Sequence, residues 1–197
     1  MIEYVEGRLM EKNPTMAVLD CQGIGYALHT SLHTFSKLPE VGQPCKLFAH
    51  LQIKEDAHTL YGFSMREERH LFRLLISVSG VGATTAQMML SAMNTSELMS
   101  NIATGQSGAL QAIKGIGAKT AQRIIIELRD KIGRMDISVE QIASDGIGNN
   151  IRNEALSALT LLGFPRAAAE KAINTILKAS DGSLSIEMLI KEALKIL

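Results

Sequence analysis

Gly80-Val81-Gly82-Ala83-Thr84-Thr85-Ala86-Gln87-Met88-Met89-Leu90 is matched 35 residues further on by Gly115-Ile116-Gly117-Ala118-Lys119-Thr120-Ala121-Gln122-Arg123-Ile124-Ile125, with six identities in eleven positions. A repeat of that quality marks two copies of one supersecondary unit. In each copy Gly-x-Gly stands between two apolar-periodic helical stretches, where the backbone can turn at positive φ and the next helix starts with its first amides bare. Such a start attracts anions, because it carries roughly half a positive charge and a phosphate can approach glycine closely. A phosphate held by amides reports nothing about the base. The repeat therefore predicts sequence-independent, salt-sensitive binding of nucleic acid.

This is the helix-hairpin-helix pattern, and a tandem pair can hold successive phosphates of a duplex. The candidate DNA-binding residues are Gly80, Val81, Gly82, Thr84 and Thr85 in the first copy, and Gly115, Ile116, Gly117, Lys119, Thr120 and Arg123 in the second. Lys119 and Arg123 add positive charge to the second copy. The competing explanation, that glycine merely lets two helices pack tightly, fits a single copy as well, but a matched pair in a basic segment favours the anion site.

The basic setting emerges only when charge is counted by segment. The chain of 197 residues has net charge +0, but residues 1–63 carry −2, residues 64–134 carry +4, residues 135–150 carry −3 and residues 151–197 carry +1. Upstream of the repeat, Glu6–Met10, Ala17–Cys21, Gly25–Thr30, Lys46–Ile53 and Thr59–Phe63 read as short strands between Gly, Pro and Asn breaks, with a helical piece near His33–Leu38. Five such strands suit an N-terminal all-β barrel of the OB type, since closure hides the sheet edges. From Arg66 the period becomes helical, giving a central all-α domain over 64–134. Residues 135–150 lack sustained periodicity and read as a flexible linker. Residues 151–197 read as a three-helix, UBA-like bundle with helix stops at Gly163-Phe164-Pro165 and near Asp181-Gly182. So small a core leaves apolar surface for docking a partner.

Several function classes are excluded at this level. Apolar residues make up 46% of the chain, no apolar run reaches the roughly 18 residues of a membrane span, and the N-terminus has no export signal, so a cytoplasmic protein is expected. Cys21 and Cys45 are too few for a disulfide framework and are read as buried apolar side chains; neither they nor the five histidines have metal-ligand spacing. Gly115-Ile116-Gly117-Ala118-Lys119-Thr120 is not a phosphate-binding Walker loop, because Ala118 stands where that motif needs glycine and no strand precedes it. No catalytic residues, metal or cofactor are expected. A repair glycosylase or nuclease would need a nucleophilic lysine or catalytic aspartate beside a hairpin, and Glu127 and Asp130 read more simply as helix surface. A scaffold whose hairpins bind protein is the other alternative.

In the order of its parts the chain closely resembles the RuvA family, the Holliday-junction-binding subunits of a bacterial branch-migration machine. The resemblance covers the whole length and is carried by Lys54-Glu55-Asp56-Ala57, Leu60-Tyr61-Gly62-Phe63, the two Gly-x-Gly copies with Lys119-Thr120-Ala121, and Leu159 to Phe164. It implies a flat homotetramer whose basic face holds a four-way DNA junction open and square-planar, with one or two tetramers around the DNA. It also implies that Glu55 and Asp56 form an acidic pin near the crossover, with Lys54 beside them on the DNA. Like charges about 4 Å apart repel by about 4 kcal/mol at an effective dielectric of about 20, enough to steer strands away from the centre. The terminal bundle, through Leu159, Leu162 and Phe164, is implied to dock the hexameric ATPase RuvB, with the RuvC resolvase a further partner. Two departures stand out: the family commonly has Pro-Lys where Ala83-Thr84 stand here, and a lysine where this chain has Ala118. Fewer cations imply more reliance on amides and a shallower salt dependence, by about 0.9 in log-log slope for each missing cation–phosphate pair.

Overall fold

A computed structural model describes residues 2–144, 147–179 and 184–197. The chain forms two compact units, Met1–Arg134 and Met135–Leu197.

The first unit begins with β1 (Tyr4–Asn13), β2 (Met16–Cys21), β3 (Ile24–Thr30), β4 (Pro44–Ile53) and β5 (His58–Phe63), with α1 (Leu32–Ser36) between β3 and β4. The strands close into a barrel in the order β1-β2-β3-β5-β4, as expected of the OB type. Closure depends on β1, whose first half pairs with β4 and whose second half pairs with β2. The register shifts between Leu9 and Glu11, and such a bulge bends the strand so that it serves both neighbours. Alternation along the strands buries Val5, Leu9, Ala17, Leu19, Leu28, Cys45, Leu47 and Ala49 inside. Cys21 departs from expectation: it is half-buried, and its thiol donates to the Glu6 carbonyl at 3.2 Å.

Five helices follow: α2 (Arg66–Ile76), α3 (Ala83–Ala92), α4 (Thr95–Ala103), α5 (Ser107–Gln111) and α6 (Ala118–Ser144). Their core runs from Leu71 to Ile132 and is continuous with Tyr61 and Phe63 of the barrel. The Phe72 ring lies 5.0 Å from each of those two rings, so α2 is packed directly against β5.

The expectation of a linker over 135–150 is corrected in part. α6 continues to Ser144 and α7 (Ile147–Leu161) begins three residues later, while residues 145–146 lie outside the described residues. Between Gly133 and Ser144 no proline interrupts the ladder, and a single internal glycine costs a helix only about 1 kcal/mol.

In the second unit α7, α8 (Arg166–Ala179) and α9 (Ile186–Ile196) pack around Ala155, Leu156, Leu159, Ala169, Ala172, Ile173, Leu189 and Ala193. α7 ends at Leu161 and is followed by Gly163, whose φ of 97° takes the left-handed conformation that stops a helix. The expected stop near Asp181-Gly182 lies outside the described residues. Among the described residues no helix is long and apolar enough to cross a membrane.

Candidate nucleic-acid interface

The two glycine turns are built alike, residue for residue. Val78 and Ile113 are buried, and their carbonyls accept the amides of Val81 at 3.0 Å and Ile116 at 3.1 Å. Closing these turns needs Gly80 at φ 91° and Gly115 at φ 89°. Val81 and Ile116 then insert into the core, each 5% exposed. Gly82 caps α3 without any side-chain hydrogen bond. The first amides with intrahelical partners are those of Ala86, bonded to Gly82 at 2.9 Å, and Ala121, bonded to Gly117 at 3.0 Å. The amides of Gly82, Ala83, Thr84 and Thr85, and of Gly117, Ala118, Lys119 and Thr120, precede those bonds at the helix starts, where no intrahelical acceptor exists.

Val81 and Ile116 are therefore corrected as direct phosphate contacts. Their side chains are buried and their amides are already bonded, so they fix the turn, while the four amides that follow have no intrahelical acceptor. The glycines at 82 and 117 present the opposite case. Neither has a positive φ, and a Cβ at either position would meet nothing within 4 Å. The fold does not demand glycine there, and the space beside the amides is open.

The copies also touch. A pocket is lined by Ser79 and Gly80 from the first turn and by Lys119, Thr120, Gln122, Arg123, Ile126 and Glu127 from α6. The Arg123 guanidinium donates to the Ser79 carbonyl at 3.2 Å and lies 3.7 Å from the Glu127 carboxylate. Arg123 thus joins the two turns as well as adding charge. Thr84 and Lys119 occupy equivalent exposed positions, and Thr85 and Thr120 equivalent half-buried ones. Sequence reasoning missed Lys114, an exposed cation whose place one residue before Gly115 was the available signal.

Lys54, Glu55 and Asp56 form the exposed tip of the β4–β5 hairpin, closed by the Lys54 amide donating to the Ala57 carbonyl at 2.9 Å. Among the described residues no ion pair neutralises Glu55 or Asp56. In the second unit the three expected docking residues separate. Leu159 is 0% exposed and belongs to the bundle core, which corrects its reading as a docking residue; Phe164 is half-buried, and Leu162 is 61% exposed. The adjacent Leu161, missed from the sequence, is 88% exposed because α7 ends there and turns its last apolar residues outward.

Comparison with known proteins agrees with this layout. Residues 1–62 match the RuvA N-terminal domain, residues 72–130 the SAM-like helix-hairpin-helix tandem, and residues 150–197 the RuvA C-terminal domain. A relative from Christiangramia forsetii, named Holliday junction branch migration complex subunit RuvA, is 49% identical over 195 residues, covering 99% of both chains. The chain belongs to the RuvA family. Other RuvA subunits bearing the same name, from Flavobacterium psychrophilum and Cytophaga hutchinsonii, are each 46% identical over 99% of both chains. As in the RuvA layout, a closed barrel precedes the tandem hairpins and the terminal helices.

Proposed function

We propose that this chain binds four-way DNA junctions without sequence specificity, holds them open and square-planar, and recruits the RuvB motor for branch migration in recombination and repair. The observation that carries the reading is the matched pair of helix starts, each offering a run of unbonded amides beside a glycine that the fold itself does not require. Backbone amides take phosphates from any sequence, and the exposed Lys119, Arg123 and Lys114 add charge. With Thr84 and Ala118 in place of lysines, the amides carry more of the load.

Residues 1–63 act as the barrel domain, 64–134 as the DNA-binding domain and 151–197 as the motor-docking domain. Residues 135–150 join the last two and raise the docking domain's effective concentration near DNA. Lys54 lies along the DNA, while the unpaired carboxylates of Glu55 and Asp56 repel phosphate and keep strands apart at the crossover. A cyclic homotetramer gives each of the four arms an equivalent pair of hairpins, the arrangement whose symmetry fits the substrate. The chain is a non-catalytic cytoplasmic subunit, with ATP hydrolysis in RuvB. Leu161, Leu162 and Phe164 form the docking edge.

The deciding experiment is a gel-shift comparison of a four-way junction with linear duplex of equal length. Tighter binding to the junction, weakening steeply as salt rises from about 50 mM, is expected. Equal affinity for both would defeat the junction reading, and no binding at low salt would leave the hairpins as protein contacts.

A further inference from the structure

Glu68 and Arg69 are consecutive on α2, and both are buried, at 1% and 8% exposure. Buried charges are retained where directional partners hold them. Glu68 accepts hydrogen bonds from the hydroxyls of Ser31 and Thr34, the latter at 2.7 Å. Ser31 caps α1 by accepting the Thr34 amide at 3.0 Å, and the Thr34 hydroxyl accepts the Ser64 amide at 3.0 Å. Arg69 reaches a different part of the barrel: it donates to the Glu3 carbonyl at 2.6 Å and the Ala49 carbonyl at 3.2 Å, and pairs with the Glu3 carboxylate at 2.8 Å.

Ala49 lies on β4, the strand that runs into Lys54, Glu55 and Asp56, and α2 leads through Ser77 and Val78 to the Gly80 turn. An apolar contact such as Phe63 against Phe72 tolerates sliding and rotation, whereas two sets of directional bonds from adjacent residues to separate parts of the barrel do not.

We propose that Glu68 and Arg69 are positioning residues that fix the acidic hairpin tip relative to the glycine turns, and so set the preference for a junction over a duplex. A duplex needs only the hairpins, but a junction needs hairpins and tip in register. The inference rests on the proposed role of Glu55 and Asp56.

The test measures junction and duplex affinities for the full chain carrying Glu68→Gln, with Glu3→Gln as a second variant that touches the half-exposed end of the Arg69 pair and the longer 3.7 Å pair with Arg73. Each is made alone and together with Glu55→Gln and Asp56→Asn. The expected result is a junction-to-duplex ratio that falls at least about fivefold for Glu68→Gln and about twofold for Glu3→Gln, with duplex affinity unchanged and no further fall once the tip is neutral. A parallel drop in both affinities, an unchanged ratio in either folded variant, or an equal effect in the neutral-tip background would overturn the proposal. If neutralising the tip alone leaves the ratio unchanged, the role of the tip itself fails instead.

Discussion

The guanidinium of Arg123 donates to the carbonyl of Ser79 at 3.2 Å, so that a residue of the second hairpin holds the backbone next to the first glycine turn. One side chain therefore couples two glycine turns that lie 35 residues apart in sequence. Arg123→Ala is expected to weaken junction and duplex alike by about tenfold and to reduce the log-log salt slope by about 0.9. Folding stability should change by less than about 1 kcal/mol, because the guanidinium is half-exposed and its pairing with Glu127 is long. Titrations over a salt series together with a thermal melt check both parts.

The four glycines of the turns should divide into two classes. Gly80→Ala and Gly115→Ala force a left-handed backbone on an alanine and should cost about 1–2 kcal/mol each in stability. Gly82→Ala and Gly117→Ala meet neither strain nor a neighbour, so they should melt within about 0.5 kcal/mol of the parent yet bind DNA at least about tenfold more weakly. Normal DNA binding by Gly82→Ala would show that no phosphate comes close at that residue.

At the hairpin tip, Glu55→Gln with Asp56→Asn should retain or tighten junction binding and relax the preference over duplex, since only repulsion is removed. A clear drop in junction affinity would contradict the repulsive role.

In the terminal bundle, Leu159→Ala opens a cavity in a small core and should cost about 2–5 kcal/mol. Leu161→Ser with Leu162→Ser should leave the bundle's melt in place while abolishing stimulation of the RuvB ATPase, because those side chains are exposed. Circular dichroism and ATP turnover distinguish the two.

Acid should loosen the first unit through His50. Burial, followed by the nearby Arg73 and Arg69 charges, lowers its pKa below the ordinary 6.5. The unfolded chain thus takes up this proton first, and the His50 contribution is complete above 6.5 and disappears as pH falls through the depressed folded value. Glu3, lowered by its hydrogen bond to Arg69, adds stability above its ordinary 4.5 that disappears at still lower pH. The melting temperature should be flat near neutral pH and decline on acidification, with a smaller decline in His50→Gln. An unchanged pH profile in that variant would assign the effect elsewhere.

Local regularities made much of this molecule legible in its sequence. Strand alternation, the change to helical period at Arg66 and the doubled Gly-x-Gly are properties of neighbouring residues, and each appeared where periodicity placed it, with β1 and β4 extending somewhat beyond their apolar cores. The helical course of 135–144 was less legible, although Met135, Val139 and Ile142 keep helical spacing, because the segment runs into the turn formers Ser144, Asp145, Gly146 and Gly148.

What only the tertiary structure decided concerns side chains whose role depends on distant partners. Val81 and Ile116 look like members of a binding motif, but packing turned them inward and their amides went to Val78 and Ile113. Leu159 and Leu162 share a helical apolar pattern, and only the placement of α8 and α9 made the first a core residue and left the second exposed. The sequence by itself determined which segments fold and where backbone amides are left bare, because those follow from spacing along the chain. The barrel contacts of Glu68 and Arg69, and the bond from Arg123 to Ser79, came from residues 20 or more positions apart, which no local pattern encodes.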